Sequence, residues 1–246
     1  MSGIPLICWD AGHGGKDPGA CLGSRHEADD VLKLVLAAGK KLEKNYKCEC
    51  VYTRKTDIYE SPYKKATDAN KANADLFISV HRNDADDVSA NGFEVLVHSK
   101  NGIKYELAET ICESMENIGF KNRSVKIRSN LTVLSATNMN ALLLEVGFIR
   151  NKKDNRLFDE RFDDIVNAIV KDVAKVMKLK KKSAAMGVGD RVRIKKDAVY
   201  AGAHAGKKVT AYARGRAHTI VKIDGEKNAL LKEINSWVNT KYLYKA

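Results

Sequence analysis

No apolar run in the chain approaches the roughly 20 residues that a membrane helix requires, so membrane insertion is not expected. The opening stretch MSGIPLICWD has neither the basic region nor the long apolar core of a secretory signal, which makes synthesis and folding in the cytoplasm the expectation. Cysteine is scarce and odd in number: Cys8, Cys21, Cys48, Cys50 and Cys112, with no C-x-x-C spacing. That excludes a zinc ribbon, a dithiol redox motif and a closed disulfide framework, and free thiols are the expectation. Nucleotide-loop signatures are missing as well. The glycine-rich stretch DAGHGGKDPGA (10–20) is not followed by G-K-[ST] and contains no G-x-G-x-x-G. It also puts an acid and a proline where a phosphate cradle needs free backbone N–H groups. There is no internal repeat and no low-complexity tract beyond one lysine run.

What is present argues for an ordered chain. Apolar residues make up 44% of the 246, enough for a core and too many for disorder. The length suits one large domain, or one medium and one small. The formal charge is +12, and +8 of it lies from Ser183 onward, where 13 Lys and Arg face 5 Asp and Glu. A field of that sign attracts nucleic acid, anionic membranes or anionic wall polymers.

The first 180 residues alternate strand-like and helix-like segments. PLICWD, CECVYTR, LFISVH, GFEVLVH and ALLLEVGF read as strands. Val31, Leu34, Val35, Ala38 and Leu42 fall on one helical face, as do Leu107, Ile111, Met115 and Ile118. Ser61 and Pro62 mark a helix start, and 154–178 carries Ile165, Ile169, Val173 and Val176 at helical spacing. The alternation predicts an α/β fold: a mostly parallel sheet with helices on both faces. The stretch KLKKKSAAMGVG reads as a linker. After it, RVRI, KKVTAYA, HTIVKI and ALLKEI are short strand-like pieces separated by Gly, Asp and Asn, the pattern of a small all-β barrel.

Function in open α/β sheets gathers at the carboxyl ends of the strands. His13 follows the first strand, His81 ends LFISV, and Glu145 interrupts the apolar strand ALLLEVGF. An acid in so apolar a run needs a partner or a task, because burying an unpaired carboxylate is costly. Glu27 starts the first helix and can point back toward His13. Two His and one carboxylate are a standard donor set for a catalytic zinc, and a neighbouring free Glu would serve as general base and then proton donor. At this level each His equally suits a hydrogen-bonded structural role, Glu27 equally suits a helix N-terminus, and His26 is an alternative ligand to Glu27.

DAGHGGKDPGA, the Glu27 that follows, ADLFISVHRND and LLLEVGFIRN resemble the signature blocks of zinc-dependent N-acetylmuramoyl-L-alanine amidases, found in autolysins, sporulation hydrolases and phage endolysins. The blocks keep that family's order and separations across residues 4–179. The resemblance implies a twisted, mostly parallel sheet of about six strands, Zn2+ held by His13, Glu27 and His81, a catalytic Glu145, and cleavage of the amide between N-acetylmuramic acid and L-alanine. Asn83 is a candidate substrate-orienting residue. Arg82, Asp84 and Lys64 or Lys65 depart from the family's usual residues and are expected to bear on substrate fit, and Phe93 and Glu94 are expected to be structural or groove wall.

The C-terminal stretch resembles the SH3-like wall-binding domains of Gram-positive lysins through A-x-Y-x-G-like and INSWV segments. The resulting expectation is a catalytic domain over 1–179, a linker over 180–188 and an SH3-like domain over 189–246. Tyr200 and Trp237 are its candidate ligand-binding residues, with Trp237 partly in the core. Peptidoglycan is the expected substrate, an anionic wall polymer the expected partner, and nucleic acid is not. A phage-type endolysin reaching the wall after release is the leading reading. A zinc metallopeptidase cutting the stem peptide and a non-catalytic wall- or nucleic-acid-binding protein are the alternatives.

Overall fold

The apolar run ahead of the glycine loop forms strand β1 (Leu6–Ala11), buried along nearly its whole length. In this computed structural model, which describes residues 3–182 and 186–246, the chain falls into two units, Met1–Lys182 and Ser183–Ala246. The first unit continues with a two-stranded hairpin, β2 (Cys21–Leu22) and β3 (Arg25–His26), then helix α1 (Glu27–Asn45), β4 (Glu49–Tyr52) and α2 (Pro62–Lys71). Next come β5 (Leu76–Asn83), β6 (Phe93–Val97), α3 (Gly102–Ile118), β7 (Asn122–Ile127), the short α4 (Thr132–Ser135), β8 (Asn140–Phe148), α5 (Lys152–Glu160) and α6 (Phe162–Val176).

Six strands form one sheet in the order β4-β1-β5-β8-β6-β7. The first four are mutually parallel; β6 runs antiparallel to β8, and β7 follows β6 in parallel. The sheet is therefore mostly parallel, as expected, with a reversed pair at one side. That reversal sets the start of β6 beside the carboxyl end of β8.

Alternation along the strands sends successive side chains to opposite faces. One face carries Ile7, Trp9, Ile78, Val80, Leu142, Leu144 and Val95 and packs against α1, α3 and α6. The predicted stripe Val31, Leu34, Val35, Ala38 and Leu42 is wholly buried there. The other face carries Cys8, Phe77, Leu143 and Leu96 and meets only α2 and the short α4. Ser61 caps α2 by accepting the Lys64 N–H at 3.3 Å. The helical stretch expected over 154–178 is two helices, broken at Arg161, whose φ of −112° and ψ of 21° leave the helical region. The apolar period persists across the break because Phe158 and Phe162 still meet edge to face, 5.7 Å between centroids. Strand β7 lacks a continuous apolar side and carried no clear signal. All five cysteines are free thiols.

The second unit holds β9 (Arg191–Ile194), β10 (Tyr200–Ala201), a helical turn α7 (Ala211–Arg214), β11 (His218–Ile223), β12 (Asn228–Leu231), β13 (Ser236–Asn239) and β14 (Leu243–Lys245). They form an antiparallel sheet in the order β10-β13-β12-β11-β9-β14 around Val192, Ile194, Val209, Ile220, Leu231 and Val238. KKVTAYA is not a strand: Thr210 caps α7 by accepting the Ala213 N–H at 3.3 Å, and two alanines favour the turn. Of the linker expected over 180–188, residues 183–185 lie outside the described residues. Lys180 and Lys182 hydrogen-bond the segment after α1, through Lys47 N–H to Lys180 O and Lys182 N–H to Asn45 O, both at 2.8 Å. Among the described residues no helix is long and apolar enough to cross a membrane.

Candidate metal centre

The strand order places a switch point between β1 and β5, since β1 is followed by its neighbour on one side and β5 lies on the other. A crevice outside the carboxyl ends of such strands is where α/β sheets bind ligands. His13 emerges there from β1, and His81 stands near the end of β5. Glu27, first residue of α1, reaches the same point.

His13 Nε2 lies 3.1 Å from Glu27 Oε1, and His81 Nδ1 lies 2.9 Å from the same oxygen. One donor atom each from His13, Glu27 and His81 lies within 4.8 Å of the others, and no other three His, Cys, Asp or Glu residues among the described residues gather this way. The rings of His13 and His81 meet edge to face, 4.9 Å between centroids. The backbone glycines make this approach feasible. A Cβ on Gly12 would come within 2.4 Å of the His81 ring, and one on Gly19 within 2.7 Å of both Glu27 Oε2 and the His13 ring. Loop chain with little side chain is what allows two imidazoles and a carboxylate to crowd together.

Two of the donors, His13 and Glu27, are held from behind. His13 Nδ1 donates to Asp17 Oδ2 at 2.9 Å, which leaves Nε2 for the centre. His13 itself sits at φ 57°, in the left-handed region. Glu27 Oε2 accepts the Ala20 N–H at 2.9 Å and Oε1 the Arg82 N–H at 2.9 Å. Burial by itself pushes the His13 pKa down, but the hydrogen bonds and charges of Glu27 and Asp17 outweigh it and raise it. Burial likewise opposes ionisation of Glu27, and His13 and His81 overcome it, holding that carboxyl well below the usual range. Such a trio has the donor chemistry of a three-residue zinc site. Replacing Asp17 with alanine frees His13 to rotate and is expected to weaken zinc binding about 10- to 100-fold, measured by chelator competition.

Glu145 is opposite His81 in the β5–β8 pairing and opposite Glu94 in the β6–β8 pairing. Its Oε2 is buried with no hydrogen-bond partner. Burial first, then the nearby charges of Glu27 and Glu94, raise its pKa well above the ordinary carboxyl value, with Arg82 opposing. Glu94 is itself engaged, accepting from Asn83 Nδ2 at 3.1 Å and from Arg123 Nε at 2.8 Å, while Phe93 is core.

Burial corrects two expectations about substrate fit. Arg82 points to the α1 face, where its guanidinium is buried against Phe158, Asp30 and Asn155. Lys65 is buried too, donating to Ala11 O at 2.6 Å and pairing with Asp10 at 2.9 Å. Asp84 pairs with Arg150 at 2.9 Å. His26 stands outside the trio, half-exposed, with Nδ1 3.5 Å from Asp29. In the second unit Tyr200 packs against the core, whereas Trp237 is half-buried beside Gly202, so the aromatic expected partly in the core is not among those packed on it. Sequence reading missed Asp17 and Asp10. Asp17 was legible as an acid four residues past His13; Asp10 carried no periodic signal.

The family profile of N-acetylmuramoyl-L-alanine amidases matches residues 7–175. An endolysin of Bacillus phage SPP1 is 35% identical over 187 residues, which cover 72% of this chain and 68% of that protein. The sporulation-specific N-acetylmuramoyl-L-alanine amidase of Bacillus subtilis strain 168 is 32% identical over 62% of this chain and 60% of its own length. Among solved structures, the catalytic domain of CwlV, an N-acetylmuramoyl-L-alanine amidase from Bacillus (Paenibacillus) polymyxa var. colistinus, aligns over 72% of this chain and 100% of its own, with a TM-score of 0.67 at 28% identity. An N-acetylmuramoyl-L-alanine amidase from Clostridium difficile 630 aligns with the same TM-score of 0.67 at 29% identity, over 72% of this chain and 98% of its own. With a profile match over residues 7–175, well over half of its length, the chain belongs to the N-acetylmuramoyl-L-alanine amidase family.

Proposed function

We propose that this chain is a zinc-dependent peptidoglycan amidase of endolysin type, cutting the amide between the lactyl group of N-acetylmuramic acid and the L-alanine of the stem peptide. The observation that carries the reading is the convergence of His13, Glu27 and His81 next to the unpartnered, buried Oε2 of Glu145. His13, Glu27 and His81 would hold the ion. When bound, zinc supplies Lewis acidity to a carbonyl and acidifies a water beside it toward a pKa of about 7. Glu145, through its unpartnered Oε2, is the group that would accept a proton from the attacking water and return it to the departing amine of L-alanine. Asn83 orients the substrate at the rim while its amide braces Glu94.

Residues 189–246 of the second unit act in this reading as an SH3-like wall-binding domain that concentrates the enzyme on an anionic wall polymer. Its excess of 13 basic over 5 acidic side chains and the half-buried Tyr200 and Trp237 support that role. Purified cell walls incubated with the protein and zinc are expected to clear and to gain free L-alanine amino termini without new reducing sugar ends, and chelator is expected to stop both. New amino termini inside the stem would favour a metallopeptidase, and unchanged walls a binding protein.

A further inference from the structure

Arg54 lies beyond β4 and is 2% exposed, yet among the described residues no carboxylate comes within 4.0 Å of its guanidinium. Its partners are four backbone carbonyls. Nε donates to Ala11 O at 3.1 Å, Nη1 to Thr56 O at 3.2 Å, and Nη2 to both Gly12 O at 2.7 Å and Ala28 O at 2.8 Å. A buried cation whose direct partners are only carbonyls is costly, since the charges of Asp10, Asp57 and Asp29 act on it only from beyond contact distance and offset its desolvation in part. Burial accordingly lowers its pKa. Such a group requires a task that a neutral side chain could not perform.

The identity of those carbonyls names the task. Gly12 immediately precedes His13, and Ala28 immediately follows Glu27, so one nitrogen joins the backbone beside two members of the trio. The two segments have further ties near this point: Ala28 N–H to Pro18 O at 3.0 Å, Glu27 N–H to Ala20 O at 2.9 Å and Ala20 N–H to Glu27 Oε2 at 2.9 Å. The planar fork of arginine can reach several acceptors at fixed angles, which a lysine cannot reproduce.

We propose that Arg54 is a positioning residue for the metal centre: it sets the separation of the His13 loop and the start of α1, and through them the placement of His13 Nε2 against Glu27 Oε1. This rests on the reading of the trio as a zinc site. It also makes a prediction of definite sign. By charge alone Arg54 repels a nearby cation, so its removal would tighten zinc binding. By positioning, its removal weakens binding.

The test measures zinc dissociation constants by chelator competition on the full chain, with circular dichroism and metal-free melting as checks of folding, and the visible spectrum of the cobalt(II) form as a report on ligand geometry. Arg54→Met is expected to lose about 10- to 100-fold in zinc affinity and to change the cobalt spectrum. Arg54→Lys, which keeps charge and bulk but reaches fewer carbonyls, is expected to fall between Met and wild type. Should Arg54→Met not fold, the lysine variant carries the test on its own. Zinc affinity unchanged or tighter in a folded variant overturns the inference while leaving the zinc site intact. A wild-type chain that binds no zinc overturns the site, and this inference with it.

Discussion

Replacing Glu145 with glutamine is expected to lower turnover on cell walls by about 10²- to 10⁴-fold, the usual worth of a positioned acid–base group. The same variant, stripped of zinc, is expected to melt higher than the wild type at pH 7–8. The sign follows from linkage. The folded pKa of Glu145 lies above its ordinary value of 4.5, because the carboxyl is buried beside Glu27 and Glu94. Stability from this group is fully present below about pH 4.5 and is lost as pH rises toward the folded value, since the unfolded chain releases the proton first. Glutamine has no proton to release, so the two metal-free melting curves coincide in acid and separate at neutral pH. Adding zinc narrows the gap, because a nearby dication favours the ionised carboxylate. Melting curves that coincide at every pH without metal would mean that Glu145 is not strained in the fold, and its assigned role would lose its electrostatic basis.

Lys65→Met should remove about 3–5 kcal/mol of stability, the cost of breaking a buried ion pair on one side. Lys65 and Asp10 are almost wholly buried and 2.9 Å apart. Asp10 also accepts from Thr53 Oγ1 at 2.7 Å and Ser79 Oγ at 2.6 Å. Burial resists ionisation of Asp10, but Lys65 first and the two hydroxyls after it hold the pKa below its ordinary value. The wild type therefore draws stability from this group above the unfolded pKa and loses it as pH falls through the folded value. Without Lys65 the buried carboxylate protonates more readily, so the deficit measured by denaturant melts is largest near pH 7 and shrinks by pH 4. A deficit below 1 kcal/mol at pH 7 would show that the hydroxyls alone sustain Asp10. Because Asp10 is the penultimate residue of β1, two positions before Gly12, the variant also tests whether the root of the glycine loop depends on this pair.

The features legible in the sequence were those with short periods or local chemistry. The α1 stripe, the Ser61 cap and the placement of His13 and His81 at strand ends follow from spacing alone. Long-range choices were not legible. Nothing local marks β6 as the strand that reverses direction, because an apolar strand buried on both faces reads the same either way. That reversal is what puts Glu94 beside Glu145, so the acid next to the centre went unassigned beyond a structural part. Arg82 was misjudged for a simpler reason. Period-2 alternation sends residue 82 to the face opposite His81, where Phe158 and Asp30 receive it. In the second unit, KKVTAYA had strand-like residues at its ends, but the Thr210 cap and the alanines directed it into a helical turn.

The left-handed backbone at His13, φ 57°, limits what evolution or design can do with this centre. Bulky and β-branched residues are disfavoured in that conformation, whereas Asn, Asp and His enter it with comparative ease. The choice of donor at position 13 is therefore filtered by the main chain before coordination chemistry has any say. Among acidic substitutes, aspartate alone shares histidine's tolerance of this turn, and it offers an oxygen on a shorter arm. Retuning the preferred ion would thus begin more easily at Glu27 or His81, on regular helix and strand, than in the glycine loop.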